Sequence, residues 1–218
     1  MRRKFEEQLL QLNRALVEMG EMVKQAITDA IRALITQDVE LANRIIAADD
    51  NVDSKEDEIE ALCIQIILQQ QPVARDLRQI TSVMKIITDL ERIGDHASDI
   101  SEITNYLADK QFIKKLDHIP KMAEATVKMV TDSIEAFVQN NLELAKSVIE
   151  YDDVVDDLFT AVKNDLIALI NSDAKTGDQA LDLLMIAKYF ERIGDHATNV
   201  AEWVVFSLTG RHKNHKVM

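Results

Sequence analysis

Glu91-Arg-Ile-Gly-Asp-His-Ala-Ser-Asp-Ile-Ser-Glu102 recurs further along the chain as Glu191-Arg-Ile-Gly-Asp-His-Ala-Thr-Asn-Val-Ala-Glu202, with eight of twelve positions identical. A weaker echo pairs Thr28-Asp29-Ala30-Ile31 with Thr131-Asp132-Ser133-Ile134, and Glu40-Leu41-Ala42 with Glu143-Leu144-Ala145, at a separation three residues larger. Asp49, Asp50 and Asp53 then fall on Asp152, Asp153 and Asp156. The extra shift implies a shorter connection between the second and third elements of the second half. A self-match of this length marks a tandem duplication of one structural unit.

Working outward from the motif, breakers are scarce: 5 Gly and 2 Pro in 218 residues, which predicts long helices. From Phe5, the apolar residues Leu9, Leu12, Leu16, Met19, Val23, Ala26 and Ala30 alternate steps of four and three, the seam of a helix lying nearly parallel to its neighbours. Asp38 is placed to cap a second helix ending near Gln69-Gln70-Gln71-Pro72. Pro72 suits the first turn of a third helix, which carries the motif to about Leu107. Asp109 to Pro120 loses the period and holds the second proline, so the unit boundary belongs there. The expectation is an all-α protein of six long helices, a tandem duplication of two three-helix bundles at residues 1–112 and 113–218. Whether these bundles lie end to end or merge into one is left open by the pattern.

The formal charge of −13 repels phosphate backbones, which argues against nucleic acid as a partner. No run approaches the roughly 20 apolar residues of a membrane span, so direct membrane insertion is not expected. One cysteine, Cys63, and a start that turns acidic at Glu6-Glu7 point to a cytoplasmic protein. Cys63 lies among Leu62, Ile64 and Ile66 and reads as a small buried hydrophobe. The segment Arg211-His-Lys-Asn-His-Lys216 is a short basic tail.

At about 100° per residue, Glu91, Asp95, Asp99 and Glu102 share an arc of roughly 80° on one helix. Asp49, Asp53, Glu56 and Glu60 form a stripe on the preceding helix, and an antiparallel three-helix unit sets the two side by side. Like charges at this spacing repel, and all-oxygen donor sets suit hard cations. A carboxylate metal site is the inference; the plain alternative is a solvated acidic surface. Gly94 and Gly194 sit inside helices, where glycine costs about 1 kcal/mol relative to alanine, so a backbone or ligand approaches closely there. Arg92 and Arg192 read as partners of neighbouring acids such as Asp89 or Asp95, and His96 and His196 as residues flanking the stripe. A Glu-x-x-His pair of the di-iron bundles is absent from both motif helices, as is a glycine-rich phosphate cradle. No catalytic constellation is visible, and an enzyme is not expected.

The doubled Glu-Arg-Ile-Gly-Asp, the Gln71-Pro72-Val73-Ala74-Arg75-Asp76-Leu77-Arg78 segment and the six-helix layout closely resemble the PhoU family over essentially the whole chain. That resemblance implies a cytoplasmic adaptor, often a homodimer, that represses the phosphate-starvation response and restrains phosphate uptake. It implies as partners a sensor histidine kinase and the ATPase subunit of the phosphate ABC importer. It also implies metal clusters of iron, manganese or magnesium, held in the first half by Glu91, Asp95 and Asp99 with Asp49 and Asp53 opposite. In the second half the corresponding set is Glu191, Asp195 and Asn199 with Asp152 and Asp156 opposite. Asn199 stands where Asp99 would be repeated, and Phe159 where Glu56 would be, so the second set is expected to hold metal more weakly or to hold fewer ions. The competing readings are a metal-dependent phosphohydrolase and a metal-free helical scaffold.

Overall fold

Leu12, Leu16, Met19, Val23, Ile27 and Ala30 are completely buried along one stripe of the first helix, and each large aliphatic side chain so placed contributes about 1.5 to 3 kcal/mol. The structure, a computed structural model, describes residues 2–211. Among them the chain forms α1 (Arg2–Thr36), α2 (Val39–Gln70), α3 (Arg75–Leu107), α4 (Ile119–Gln139), α5 (Leu142–Ser172) and α6 (Gly177–Thr209), with a short 3-10 turn at Ala174–Thr176. The protein is all-α. The basic tail beyond Arg211 lies outside the described residues.

The duplication extends to the helix ends. Asp38 accepts a hydrogen bond from the Leu41 amide at 2.9 Å, and Asn141 does the same for Leu144 at 3.1 Å, caps worth about 1 kcal/mol each. Just before them, Gln37 (φ 52°) and Asn140 (φ 53°) close α1 and α4 in the left-handed conformation. Asparagine adopts it readily, whereas for glutamine it costs roughly 1 to 2 kcal/mol. The Gln37 amide offsets that cost by donating to the Leu107 and Lys110 carbonyls, each at 2.7 Å, at the end of α3.

Two local expectations are corrected. Pro72 does not start α3: that helix begins at Arg75, and Pro72 instead ends α2. A residue preceding proline is pushed out of the right-handed helical region, and Gln71 sits at φ 48° as the cap of α2. The other proline, Pro120, does occupy the first turn of its helix, α4. Nor is the second-to-third connection shorter in the second half, since residues 71–74 and 173–176 match in length. The three-residue difference is absorbed where α5 ends one residue earlier and α6 begins two residues later relative to the repeat.

Each half is a triangle, α1 with α2 and α3, and α4 with α5 and α6, and the halves join through α3 against α6 and α1 against α4. The α3–α6 interface is the most extensive among the described residues. Asp89 of α3 meets His196 and Asn199, while His96 meets Arg192, so the two helices run antiparallel. The bundles therefore merge side by side around a central pair, leaving α2 and α5 as outer walls. The crossover segment docks on the second half, where the buried Gln179 accepts from the Ile113 amide at 2.6 Å and donates to the Gln111 carbonyl at 3.2 Å. No helix among the described residues is long and apolar enough to cross a membrane.

Candidate metal centre

Gly94, inside the motif, is a point of close approach between α2 and α3. A Cβ there would stand 3.2 Å from Asp49 Oδ1 and 3.2 Å from Val52 Cγ1, tighter than the roughly 3.5 Å at which carbon contacts are most favourable. The repeat reproduces this: a Cβ on Gly194 would be 3.2 Å from Asp152 Oδ1 and 3.4 Å from Val155 Cγ1. Absence of a side chain thus seats an acidic residue of the outer helix against the motif helix in both halves.

In the first half this closeness brings Asp53 of α2 together with Glu91 and Asp95 of α3, each offering an oxygen within 4.8 Å of the others. Asp53 is exposed, and the other two are half-buried. Glu91 Oε2 is buried and accepts no hydrogen bond. Its nearby cation is Arg92, whose Nε lies 3.3 Å away and whose guanidinium also donates to Asp95 at 2.8 Å from a largely exposed position. Burial, then the Asp95 charge, pushes the Glu91 carboxyl up to about 7, with Arg92 opposing the rise. Burial and the charges of Asp95 and Asp53 push Asp49 up to about 6. Carboxylates so reluctant to ionise are short of positive charge, and three converging oxygens with an orphaned buried acceptor match the donor preference of a hard cation. The first cluster fits such an ion. Glu56 stands beside it, accepting from the Thr88 hydroxyl at 2.9 Å.

Asp99 lies off this triad, at the α3–α6 interface. Arg192 Nε donates to His96 Nε2 at 3.2 Å, which leaves the ring proton of the neutral tautomer on Nδ1, where it donates to Asp99 Oδ2 at 3.2 Å. Burial, with His196 and Arg192 nearby, holds His96 below the usual histidine range against the Asp99 bond. The two histidine rings stand 5.6 Å apart between centroids. Asp89 accepts from His196 Nδ1 at 2.8 Å and from the Asn199 amide at 3.1 Å. Arg92 thus pairs within its own helix as the sequence suggests, whereas Arg192, His96, His196 and Asn199 build a polar seam between the halves. Nothing in the helical period marks that seam, because it arises only when one copy of the motif packs against the other.

The second half departs from the first. Lys188, standing where the repeat has Thr88, donates to Glu191 Oε1 at 2.6 Å and lies 2.5 Å from Oε2. Its ammonium is 5.5 Å from the centroid of the Phe159 ring. Asp156 and Asp195 are raised by burial and by Glu191, with Lys188 pulling both the other way. Asp152 is pushed up to about 6 by burial and by Asp156 and Asp195. Among the described residues, Asp156, Glu191 and Asp195 do not form a group with all oxygens in mutual reach. The sequence signal for Lys188 was present as a lysine three residues before Glu191, the spacing of a helical ion pair.

A model of the PhoU domain matches residues 16–104 and again residues 119–204. The chain belongs to the PhoU family. A phosphate-specific transport system accessory protein PhoU homolog of Clostridium acetobutylicum is 39% identical over 211 residues, covering 96% of each chain. One from Aquifex aeolicus is 38% identical, covering 87% of this chain and 86% of the other. Among solved structures, PhoU from Pseudomonas aeruginosa superposes with a TM-score of 0.90 at 32% identity, covering 95% of this chain and all of that one. The phosphate transport system regulatory protein PhoU from Streptococcus pneumoniae gives 0.89 at 26% identity. The PhoU fold and its internal duplication agree with the six-helix reading of the motif.

Proposed function

We propose that this protein is a non-catalytic accessory protein of phosphate-specific transport, a negative regulator of phosphate uptake and of the phosphate-starvation response. The match over 96% and 87% of the chain to accessory proteins named for that system carries the reading. Residues 1–112 and 113–218 act as its two repeat units. It works in the cytoplasm as a homodimer, contacting a sensor histidine kinase and the ATPase subunit of the phosphate importer. A hard cation, iron, manganese or magnesium, is held by Asp53, Glu91 and Asp95, with Asp49 and Asp99 flanking. When bound, it neutralises the cluster and ties α2 to α3. The second set, Asp152, Asp156, Glu191, Asp195 and Asn199, contributes less.

Elemental analysis of protein purified without a metal-binding tag tests the site: the Glu91→Ala/Asp95→Ala double variant is expected to lose the bound metal, and equal content in both proteins removes the cluster. Pull-down of the kinase and importer ATPase with the full chain tests the role, with capture of neither as the contrary result. Sustained phosphoester hydrolysis by the metal-loaded protein, lost in the double variant, would instead make it an enzyme.

A further inference from the structure

We propose that the second acidic cluster carries its own cation, the Lys188 ammonium, and that a metal ion can enter it only by displacing that side chain. The proposal rests on the metal reading of the first cluster and explains why two copies of one motif are not equivalent.

Three replacements between the halves act in one direction. Glu56 becomes Phe159, Asp99 becomes Asn199 and Thr88 becomes Lys188. Counting Asp49, Asp53, Glu56, Glu91, Asp95 and Asp99 against their counterparts with Lys188, the formal charge falls from −6 to −3. The geometry shows what the added charge does. In the first half a buried oxygen of Glu91 accepts no hydrogen bond, and the cluster's carboxylates converge within 4.8 Å. In the second half Glu191, a side chain only 15% exposed, has the Lys188 ammonium donating to Oε1 at 2.6 Å and lying 2.5 Å from Oε2, although Oε2 here too is buried without a hydrogen bond. The ammonium also approaches the ring of Phe159, at a distance where a cation is attracted to an aromatic face. Phe159 therefore removes a carboxylate donor and adds a favourable surface for the lysine. An internal ammonium needs no metal supply, so in the metal-free protein Glu191 of the second half keeps a lysine at both oxygens, whereas Glu91 of the first has only the Nε of the largely exposed Arg92, which it shares with Asp95.

The test titrates Mn²⁺ into metal-stripped full-length protein and follows the free ion by electron paramagnetic resonance. Glu91→Ala/Asp95→Ala isolates the second cluster and is expected to bind far more weakly than the unmodified protein. Adding Lys188→Thr, which copies Thr88, is expected to tighten that residual binding by about tenfold or more, since ligand charge sets affinity in oxygen sites, whereas adding Lys188→Arg leaves it weak. Residual binding as tight as that of the unmodified protein with Lys188 in place, or no gain on Lys188→Thr, overturns the proposal. Thermal melting in chelator gives an independent reading. Lys188→Met is expected to lower the low-salt midpoint by about 2 to 4 °C, with the loss shrinking in high salt and disappearing when Glu191→Gln is added. No loss on Lys188→Met overturns the proposal as well. If the unmodified protein binds no Mn²⁺ but the melting pattern appears, the metal reading of the first cluster fails while Lys188 stands as the internal cation of the second.

Discussion

Replacing Gly94 with alanine sets two effects of similar size against each other. Alanine inside a helix is favoured over glycine by about 1 kcal/mol. Against that, the new Cβ meets Asp49 Oδ1 and Val52 Cγ1 at 3.2 Å, and neither neighbour gives way easily. Val52 is 4% exposed and stiff about its first torsion, and displacing Asp49 drives it among other carboxylates. The outer helix must retreat by a few tenths of an ångström, and overpacking of this kind costs about 1 to 3 kcal/mol. The expected outcome is a net loss of about 0 to 2 kcal/mol, together with weaker Mn²⁺ binding, because α2 carries Asp53 away from Glu91 and Asp95. Gly177→Ala is the control. Nothing lies within 4 Å of its would-be Cβ, its backbone is already helical at φ −56° and ψ −47°, and a gain of about 0.4 to 1 kcal/mol is expected there. Urea denaturation with unchanged slope measures both. If Gly94→Ala stabilises as much as Gly177→Ala and leaves the Mn²⁺ affinity intact, the close approach does not shape the site.

The raised carboxyls set the pH response. Glu91 titrates near 7 and Asp49 and Asp152 near 6 in the folded chain, above their ordinary values of 4.5 and 3.8. The fold therefore holds their protons more tightly, and the metal-free protein is expected to lose stability as pH rises from about 4 through about 7. Saturating Mn²⁺ is expected to reverse the trend, since ligation requires ionised carboxylates. Melting at about pH 5.5 and about pH 8 checks this, with Glu91→Gln expected to flatten the metal-free slope; an unchanged slope in that variant contradicts the assignment. At the seam between the halves, Asp89→Ala leaves His196 and Asn199 without their acceptor, for an expected loss of about 1 to 3 kcal/mol by urea denaturation. A change under about 0.5 kcal/mol would place that contact among surface bonds of little consequence.

Much of the site was legible in the residues. The acidic stripes on neighbouring helices, the close approach at Gly94 and the two carboxylates missing from the second copy all follow from spacing and from comparison of the repeats, and the caps at Asp38 and Asn141 repeat as the alignment requires. Pro72 was harder to place because proline both ends one helix and suits the start of another, and the choice depends on where Gln71 turns. The histidines looked peripheral when judged against their own helix, but His96 is 8% exposed because α6 covers it. Lys188 was visible as a helical neighbour of Glu191, yet its position over Phe159 depends on how α5 lies against α6.

By itself the sequence determined six helices, their duplication and the acidic face each motif presents, because helical period, capping and repeat identity are properties of short stretches of chain. Only the tertiary structure decided that α3 and α6 pack antiparallel into one merged core, that Asp99 and Asn199 turn toward that seam, and that Lys188 closes on Glu191. Those outcomes depend on which surfaces meet across the fold. A buried stripe must be covered, but its period carries no label for the helix that covers it.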